Sequence, residues 1–515
     1  LDWNSNAFLY YTRSFNKQHN LNVSAGWEAA SGTTESTNAH YRGFPSGEFH
    51  SLNYAAEVYK KPTRTENTTR RVSVLASANY TWNDIYLVDA SVRFDGSSEF
   101  GANQKWAPFF SGGLGVNIHN YDFFKSNGYI NKLKLRASYG RTGKVNFPAY
   151  AATTMYETLF DEWYITGYGA VLKALGNKDL TWEKTDKLSV GIETKTFHDR
   201  LTVDFEYYYN KTIDLVNDVT LSQTSGFSTY KDNMGQVANK GVELKLRADI
   251  YRDRNWNVAL WGNMAHNKNE ILKISDSQKA YNERVAAYYK NEALYQETLG
   301  LSHGAEYSVP LPQYEEGASL TSIWAVRSLG IDPTTGKEIF LNRDGSIADK
   351  WNAAQEVVVG NTEPKCSGAF GLNLSYKNWT LFASFLYEWG GQEYNQTLVN
   401  NVENADLVNK NVDLRVLTDR WKKPGDIAQF KDIKDRGMTT LPTSRFVQDK
   451  ALVRLNSLNV SYDFNRDWIK KHLRMNLLRL EASTSDLINW SSIKQERGLS
   501  YPRSWKVEFS LKAQF

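Results

Sequence analysis

The chain has 515 residues, a formal net charge of +4 and a mean hydropathy of -0.55, which are ordinary values for a soluble protein. No run of about 18 or more apolar residues occurs, which excludes a helical membrane protein. Acidic and basic residues are interleaved, so the charge gives no support to nucleic acid as a partner. A single cysteine, Cys366, excludes an intramolecular disulfide and a cysteine-based zinc site.

The predicted elements are segments of about ten residues in which every second side chain is apolar. About 15 occur in chain order, near 6–15, 20–30, 70–82, 85–95, 107–118, 131–141, 184–196, 200–211, 238–250, 255–267, 367–377, 379–390, 448–463, 474–487 and 504–515. In the last segment the apolar set is Trp505, Val507, Phe509, Leu511, Ala513 and Phe515. A period of two residues indicates β-strands with one apolar and one polar face.

The polar faces carry full charges, among them Asp89, Arg93, Lys134, Arg136 and Glu193. Burying such charges unpaired in a protein core costs several kcal/mol each, so these faces must contact water. One alternative is a soluble β-sandwich whose charged faces are solvated. The lengths of the connections argue against that alternative.

Short and long connections alternate along the chain. Short turns are predicted at 82–84, 198–200, 252–254 and 377–378, and long loops near 31–69, 142–183, 212–237, 268–365, 391–446 and 489–503. Such sorting is typical of outer-membrane barrels, with short turns in the periplasm and long loops outside the cell. Trp82, Trp379 and Trp389 near strand ends match the aromatic girdles of such barrels.

These patterns predict an all-β fold, a transmembrane antiparallel up-and-down β-barrel. Residues 1–515 are expected to form the C-terminal part of one outer-membrane barrel domain, with no separate soluble domain. Because closed bacterial barrels have even strand numbers and an open edge in lipid is forbidden, we expect further strands upstream of residue 1.

Patterns for catalysis or metal binding are weak. Ser46 lacks the spacing of a nucleophile elbow, and the eight histidines occur singly. The segment Asn342-Arg343-Asp344-Gly345 lacks the alternating acidic positions of a calcium loop, which makes it a turn. The sequence therefore predicts no enzyme, no cofactor and no metal.

Several segments that follow one another along the chain carry a family resemblance. They are Arg93-Phe94-Asp95-Gly96-Ser97-Ser98 with Phe100-Gly101, Leu133 to Gly140, Asn177-Lys178-Asp179-Leu180-Thr181-Trp182-Glu183, Asn233-Met234-Gly235 with Asn239 to Glu243, and, more weakly, Gly330-Ile331-Asp332-Pro333 with Gly336 and Tyr501 to Phe515. In these segments the chain resembles the SusC/RagA family of TonB-dependent outer-membrane transporters of Bacteroidota.

The resemblance implies a barrel of about 22 strands whose lumen is closed by an N-terminal plug. Plug and first strands have no counterpart here, so we expect an N-terminal barrel and plug fragment as a partner, or an incomplete sequence. It also implies a SusD-like surface lipoprotein over the loops, and the TonB complex acting through the plug. Localisation in the bacterial outer membrane follows from the same resemblance.

The function implied is TonB-dependent import of an oligomeric nutrient, a glycan or a peptide. One alternative is a structural barrel that docks other surface proteins and transports little, and another is a passive porin, which the resemblance disfavours. Candidate substrate-binding residues, which we expect to stack on sugar rings or apolar peptide side chains, are the loop aromatics Trp163, Tyr164, Tyr288, Tyr289 and Trp324. They have an alternative role, packing within their own loops or against the lipoprotein.

The C-terminal strand is a second candidate site. The resemblance implies that Phe515, with Phe509 and Leu511 in register, forms the signal read by the outer-membrane assembly machinery. Alternatively, these residues are simply the end of a lipid-facing strand.

Overall fold

The computed structural model describes residues 2–45, 51–125, 129–145, 147, 149–165, 167–220, 229–233, 235–290, 314–409, 412–437, 440–464, 466–493 and 506–514. Contacts divide the chain into two compact units. Unit 1 comprises Leu1–Gly115, Ser138–Leu188 and Thr212–Gly235, and unit 2 comprises Val116–Ala137, Ser189–Lys211 and Gln236–Phe515. Within the described ranges, none of the helices combines the length and apolar character needed to cross a bilayer.

Strands make up most of the chain. Up to residue 213 they are β1 (Asp2–Phe15), β2 (His19–Arg42), β3 (Glu57–Trp82), β4 (Tyr86–Ser97), β5 (Trp106–Asn117), β6 (Ile130–Lys144), β7 (Met155–Tyr164), β8 (Gly167–Ala174), β9 (Glu183–Thr196) and β10 (Leu201–Ile213). They continue as β11 (Val216–Thr220), β12 (Thr229–Asn233), β13 (Gln236–Arg252), β14 (Trp256–Lys273), β15 (Ser322–Ile331), β16 (Glu338–Leu341), β17 (Ile347–Ala348), β18 (Glu356–Asn361), β19 (Cys366–Tyr376), β20 (Trp379–Tyr394), β21 (Val447–Asp463), β22 (Leu477–Ser485), β23 (Asn489–Ser491) and β24 (Lys506–Gln514).

The α-helices lie in the connections between strands. They are α1 (Asp122–Lys125), α2 (Asp276–Lys290), α3 (Gln396–Leu398), α4 (Arg415–Thr418) and α5 (Arg466–Leu473), and a π-helical turn at Val399–Glu403 continues from α3.

Among the described residues, one large sheet contains fifteen strands in the order β1-β2-β3-β4-β5-β6-β9-β10-β13-β14-β19-β20-β21-β22-β24, and β23 pairs with β21 beside them. The registers within β1 to β4 and within β13 to β24 are antiparallel. Each of the fifteen strands overlaps one predicted segment. The predicted all-β antiparallel fold is therefore confirmed.

The register in unit 2 explains the alternation in the sequence. Leu372 of β19 lies between Leu260 of β14 and Ala383 of β20, whereas the next residue, Asn373, lies between Ala259 and Phe382. Successive side chains point to opposite faces, so the apolar positions of neighbouring strands share one face. We call this shared face of the large sheet the apolar face.

One predicted loop differs from the structure. Most of the segment 31–69 is strand, because β2 continues to Arg42 and β3 begins at Glu57. Polar pairs replace apolar ones here: Thr33 and Thr68 face each other at 3.1 Å between their hydroxyl oxygens. Alternation of apolar residues stops near residue 30, but β-branched threonines and cross-strand polar pairs continue the ladder.

The other predicted long loops also contain secondary structure, and 489–503 begins with strand β23. The segment 142–183 holds the hairpin β7–β8, and 212–237 holds the paired strands β11 and β12. The segment 268–365 holds α2 and a four-stranded sheet in the order β17-β16-β15-β18. The segment 391–446 holds α3, α4 and the π-helical turn. Short elements of this kind lack the ten-residue alternation on which the strand prediction depended.

Candidate functional site

The five predicted loop aromatics lie on three elements. Trp163 and Tyr164 end strand β7 in unit 1, where their backbones face Tyr168 and Gly167 of β8. Tyr288 and Tyr289 are near the end of α2 in unit 2, and Trp324 is on β15 of the same unit. The side chains of the first four lie outside the described part of the structure. Their role in substrate binding stays a prediction.

Trp324 is half-buried and lies among buried neighbours at the start of β15. Ile323, Ala325 and Val326 beside it are buried, and the backbone of Trp324 faces Val358 of β18. The Val326 amide donates to the Pro442 carbonyl at 3.1 Å, so β15 is also attached to the segment before β21. A partly exposed ring on such a rigid strand is suited to stacking on a ligand, because little side-chain entropy is lost.

Next to β15, the segment 394–446 has a hydrophobic core of its own, which we call the loop core. It consists of the buried residues Leu398, Val399, Val402, Ala405, Val416, Phe430 and Phe446. Several of these side chains are almost fully inaccessible to solvent. A connection with such a core is a folded element rather than a flexible loop.

A buried ion triad connects the loop core to β16. Arg445 donates from Nη2 to Glu403 Oε1 at 2.7 Å and to Glu338 Oε2 at 2.9 Å, and its Nε donates to Glu338 Oε1 at 3.2 Å. Glu403 is 0% exposed, and the side chains of Glu338 and Arg445 are almost as deeply buried. A planar guanidinium satisfies two carboxylates at once, which compensates for their desolvation.

Two further buried cations satisfy polar atoms in the loop core. Arg420 donates to the backbone carbonyls of Val416, Lys431, Glu403 and Val402. Lys431 Nζ donates to the Thr440 hydroxyl at 3.2 Å, and burial lowers the pKa of this amine. These bonds satisfy carbonyl groups that irregular backbone would otherwise bury without partners.

The four-stranded sheet of unit 2 is attached to the large sheet through a chain of amides. Asn239 Oδ1 of β13 accepts from the side chains of Asn267 and Asn269 of β14. Glu363 Oε2 accepts from the Asn269 amide at 3.0 Å, and Asn269 Oδ1 accepts from the Ser319 hydroxyl at 3.1 Å. Residues on both sides of β15 are therefore fixed to β14, which gives Trp324 a defined position.

Glu356 leads to a prediction about pH. It begins β18 and is buried, and burial raises the pKa of its carboxyl to about 7, although nearby Arg343 opposes the shift. A carboxyl whose pKa is raised on folding stabilises the fold below its unfolded value of 4.5, and this stabilisation is lost as pH rises through 7. We expect the β15–β18 pair to open at least about tenfold more often at pH 8 than at pH 5.

Hydrogen exchange of the Val357 and Val358 amides, corrected for intrinsic rates, measures this opening. Glu356→Gln is expected to remove most of the pH dependence, because the amide is neutral throughout. Glu315→Gln, at an exposed glutamate of the same unit, is the matched control. Equal pH dependence in the wild type and in Glu356→Gln would show that this carboxyl is not the titrating group.

In unit 1, three of the resemblance segments meet in one place, which we call the motif cluster. Phe100 stacks on Trp182 with ring centroids 4.1 Å apart, and Phe109 and Phe147 contact these rings edge-on. Leu180 lies in the same buried group. Phe100 and Trp182 lie about 80 positions apart in the chain, so their stacking is a tertiary contact.

Backbone hydrogen bonds and a close backbone approach also hold the motif cluster together. The Gly101 amide donates to the Leu180 carbonyl at 3.1 Å, and a Cβ at Gly101 would overlap the Lys178 carbonyl. Asn233 Oδ1 accepts a hydrogen bond from the Thr181 amide at 2.9 Å, and Asn233 Nδ2 donates to the carbonyls of Thr181 and Asp214. Position 101 therefore requires glycine, because the backbone of Lys178 comes too close for a side chain. Position 233 requires asparagine, because its amide group pairs backbone groups that would otherwise have no hydrogen-bond partner.

The charged face of the strands pairs cations with carboxylates. In unit 2, Arg136 of β6 donates to Asp204 at 2.8 Å and to Glu206 at 2.6 Å, both on β10. In unit 1, Arg93 of β4 donates to Glu28 at 3.0 Å and to Asp95 at 2.5 Å. Partly exposed charge networks of this kind form a polar wall that remains in contact with water.

The C-terminal candidates lie on β24. Phe509 is 76% exposed and Leu511 is 66% exposed, and they face Ala482 and Leu480 of β22. Both are on the apolar face of unit 2, as the alternation predicts. Phe515 lies outside the described residues, and a role in assembly stays a prediction for all three.

Sequence reasoning did not find the ion triad of Arg445, Glu338 and Glu403. The three residues lie on separate segments, up to 107 positions apart, and no local spacing connects them. Ser46 lies outside the described residues. Asn342-Arg343-Asp344-Gly345 forms a turn in which Asp344 Oδ1 accepts from the Ser346 amide at 2.9 Å.

Comparison with known proteins agrees with this geometry. The family model described as TonB dependent receptor-like, beta-barrel, matches residues 2–477. TonB-dependent receptor P39 of Formosa agariphila is 26% identical over all of this chain and 53% of its own length. TonB-dependent receptor SusC of Bacteroides thetaiotaomicron is 29% identical over 47% of this chain and 25% of its own length.

Among solved structures, the RagAB peptide transporter superposes with a TM-score of 0.79 at 23% identity, over 96% of this chain and 52% of that one. This likeness concerns the fold. The chain spans about half the length of the curated relatives first matched. The resemblance to SusC/RagA proteins is confirmed, and the chain belongs to the TonB-dependent receptor-like β-barrel family.

Proposed function

We propose that this chain forms the barrel wall and the outer loops of a TonB-dependent importer in the bacterial outer membrane. Its cargo is an oligomeric nutrient, a glycan or a peptide, and a SusD-like lipoprotein covers its loops. The observation that carries the proposal is the combination of family membership with loops that are folded and firmly attached. The chain supplies no chemistry to the cargo in this proposal.

The charged face supports passage of a hydrated cargo. Arg136 and Arg93 each reach across one intervening strand to a carboxylate, and the opposite face of these strands is apolar. In an outer-membrane barrel the apolar face contacts lipid and the polar face lines the interior. Such an interior suits sugars or peptides, which carry many hydrogen-bonding groups.

The folded loops support recognition of a large cargo. The loop core and the ion triad fix the segment on one side of β15. The side-chain hydrogen bonds of Asn239 and Asn269 fix the segment on its other side. Trp324 is thus a partly exposed ring on a rigid base. The RagAB complex, which this chain resembles in fold, is described as a peptide transporter, which is consistent with an oligomeric cargo.

The alternative is a docking barrel that holds other surface proteins and transports little. The same rigid loops favour it, because a permanent protein partner also needs a fixed surface. The two functions differ in whether uptake requires energy from the inner membrane. Measuring uptake and partner binding in the same strains separates them.

Uptake of labelled oligoglycans and oligopeptides by cells that carry or lack this protein tests the proposal. We expect one of the two classes to enter only with the protein present and only while the proton-motive force is intact. Trp324→Ala is expected to raise the apparent KM about tenfold with Vmax nearly unchanged, because a stacking contact worth on the order of 1 kcal/mol and its buried area are lost.

Trp389→Ala is the matched control. Trp389 lies opposite Cys366 on the apolar face, which the cargo does not contact in this proposal. Trp324→Phe retains a ring and should recover most of the affinity. Uptake of both classes that persists without the protein or without the proton-motive force contradicts import. Loss of surface proteins with normal uptake would favour the docking alternative.

A further inference from the structure

The turn end of unit 2 carries a continuous row of aromatic side chains on the apolar face. Trp256 of β14 packs on Tyr376 of β19 with centroids 4.2 Å apart, and Tyr376 faces Trp379 of β20 in register. Trp379 packs on Tyr462 of β21 at 4.8 Å, and Tyr462 contacts Phe464 at 5.1 Å. We call these residues the aromatic row.

Helix α5 follows directly after the aromatic row. Its Ile469 is 0% exposed and attaches the helix to unit 2, while Trp468 on the same helix is 51% exposed. Trp468 stacks on His472 with centroids 5.2 Å apart. A buried apolar anchor beside an exposed tryptophan is the pattern of a helix that lies at a membrane interface.

Exposed cations lie at the same end. They are Lys377 in the β19–β20 turn, Lys470 and Lys471 on α5, Arg474 after it, and Arg252 and Arg254 in the β13–β14 turn. The Lys377 amine lies 5.3 Å from the centre of the Tyr376 ring, so this cation is placed at the edge of the aromatic row. We call these six residues the basic rim.

The carboxylates at this end include Asp253, Asp463 and Asp467. Asp253 accepts from the amides of Asn255 and Trp256, each at 2.7 Å, and from the Tyr251 hydroxyl at 2.9 Å. Asp463 is held by Arg479 at 2.5 and 2.8 Å. Within the described ranges, no residue of the basic rim has a carboxylate within ion-pair distance. Asp253 keeps its negative charge in these hydrogen bonds, and Asp467 of α5 adds another, but the six cations of the basic rim outnumber them, which leaves an excess of positive charge.

We infer that the basic rim and the aromatic row together bind the headgroups of anionic phospholipids in the periplasmic leaflet of the outer membrane. This inference rests on the proposed function, because it places the short turns of unit 2 in the periplasm. Aromatic side chains occupy the headgroup level of a bilayer, and cations just beyond them meet the lipid phosphates. The occupant is thus a lipid surface with net negative charge.

Charge and geometry favour lipid over a protein partner. The aromatic row belongs to the same face as Leu260, Leu374 and Val460, so it continues a surface that contacts acyl chains in a barrel. Lysine stems extend along such a surface and carry their amines to the interface. The excess positive charge then selects phosphatidylglycerol over zwitterionic phosphatidylethanolamine.

The test uses the protein as the cell assembles it, extracted from outer membranes in mild detergent and offered equal amounts of phosphatidylglycerol and phosphatidylethanolamine. Native mass spectrometry measures the lipids retained. We expect preferential retention of phosphatidylglycerol, weakened by salt. Lys470→Gln with Lys471→Gln should lower its affinity by about tenfold or more.

The matched control is Lys422→Gln with Lys423→Gln, an exposed lysine pair that also follows a tryptophan but lies in the segment 391–446. It should leave lipid binding unchanged, and Lys470→Arg with Lys471→Arg should retain it, which also shows that the helix tolerates substitution. Equal retention of both lipids by the wild type overturns the inference, as does equal loss in the control.

Uptake and membrane fractionation in the same strains distinguish the two proposals. A protein that imports its cargo normally but shows no lipid preference overturns only the lipid site. A protein absent from the outer-membrane fraction overturns the proposed function and, with it, the periplasmic placement of the basic rim. Capture of a periplasmic protein at α5 without lipid preference would assign this surface to a protein partner instead.

Discussion

Replacing Arg445 with methionine is expected to destabilise the loop core by about 3–5 kcal/mol, the cost of removing one partner from a buried ion pair. Glu403 and Glu338 would remain buried beside each other without the guanidinium that satisfies both. Hydrogen exchange of backbone amides in the described part of 394–446 measures the effect. These amides should exchange at least about a hundredfold faster, since each 1.4 kcal/mol is a factor of ten.

Arg64→Met is the control for this change. Arg64 pairs with Glu35 at 2.8 Å, but both side chains are more than half exposed, so its loss should cost no more than about 1 kcal/mol. Replacing Glu338, Glu403 and Arg445 together by apolar residues should recover much of the stability. Unchanged exchange in Arg445→Met would mean that the triad does not stabilise the loop core.

Trp182→Ala is expected to destabilise the motif cluster of unit 1 by about 3–5 kcal/mol, the range for removing a large buried aromatic side chain. Phe100 would lose its stacking partner and Phe109 its edge contact. The cavity cannot close easily, because Gly101 is held to Leu180 by its backbone. The Gly101 amide should therefore exchange at least about a hundredfold faster.

Trp182→Phe should cost much less, because the indole Nε1 is buried without a hydrogen-bond partner among the described residues and only ring area is lost. Tyr156→Ala, at an exposed aromatic of β7 in the same unit, is the matched control. Similar exchange rates for Trp182→Ala and Tyr156→Ala would show that the stacking contributes little. The result tests whether these residues serve to pack the motif cluster or to bind a ligand.

The motif cluster gives a structural reason for part of the family resemblance. Residues of the three segments pack on one another, and Asn177 also donates to the Lys231 carbonyl at 3.1 Å. Their chemistry is that of packing and backbone satisfaction. In this chain, therefore, these segments hold loops onto the strands and make no contact that identifies a cargo.

The strands were predictable because each depends on local pattern alone. A strand with lipid on one side and water on the other needs alternating side chains, and this requirement is written into every ten-residue segment. The extensions of β2 and β3 were missed because they lie beyond the apolar alternation, where cross-strand pairs such as Thr33 with Thr68 replace it. A pair of polar residues 35 positions apart leaves no local signal.

The sequence by itself determined the all-β class, the positions of the fifteen strands, the apolar face and the sorting of short and long connections. Only the tertiary structure decided how the loops fold, because their stability comes from contacts between distant segments. Arg445 meets Glu338 and Glu403, and Phe100 meets Trp182, across separations that no periodicity encodes. The aromatic row shows both levels: its members follow from alternation, but their alignment with the cations of α5 follows from strand register.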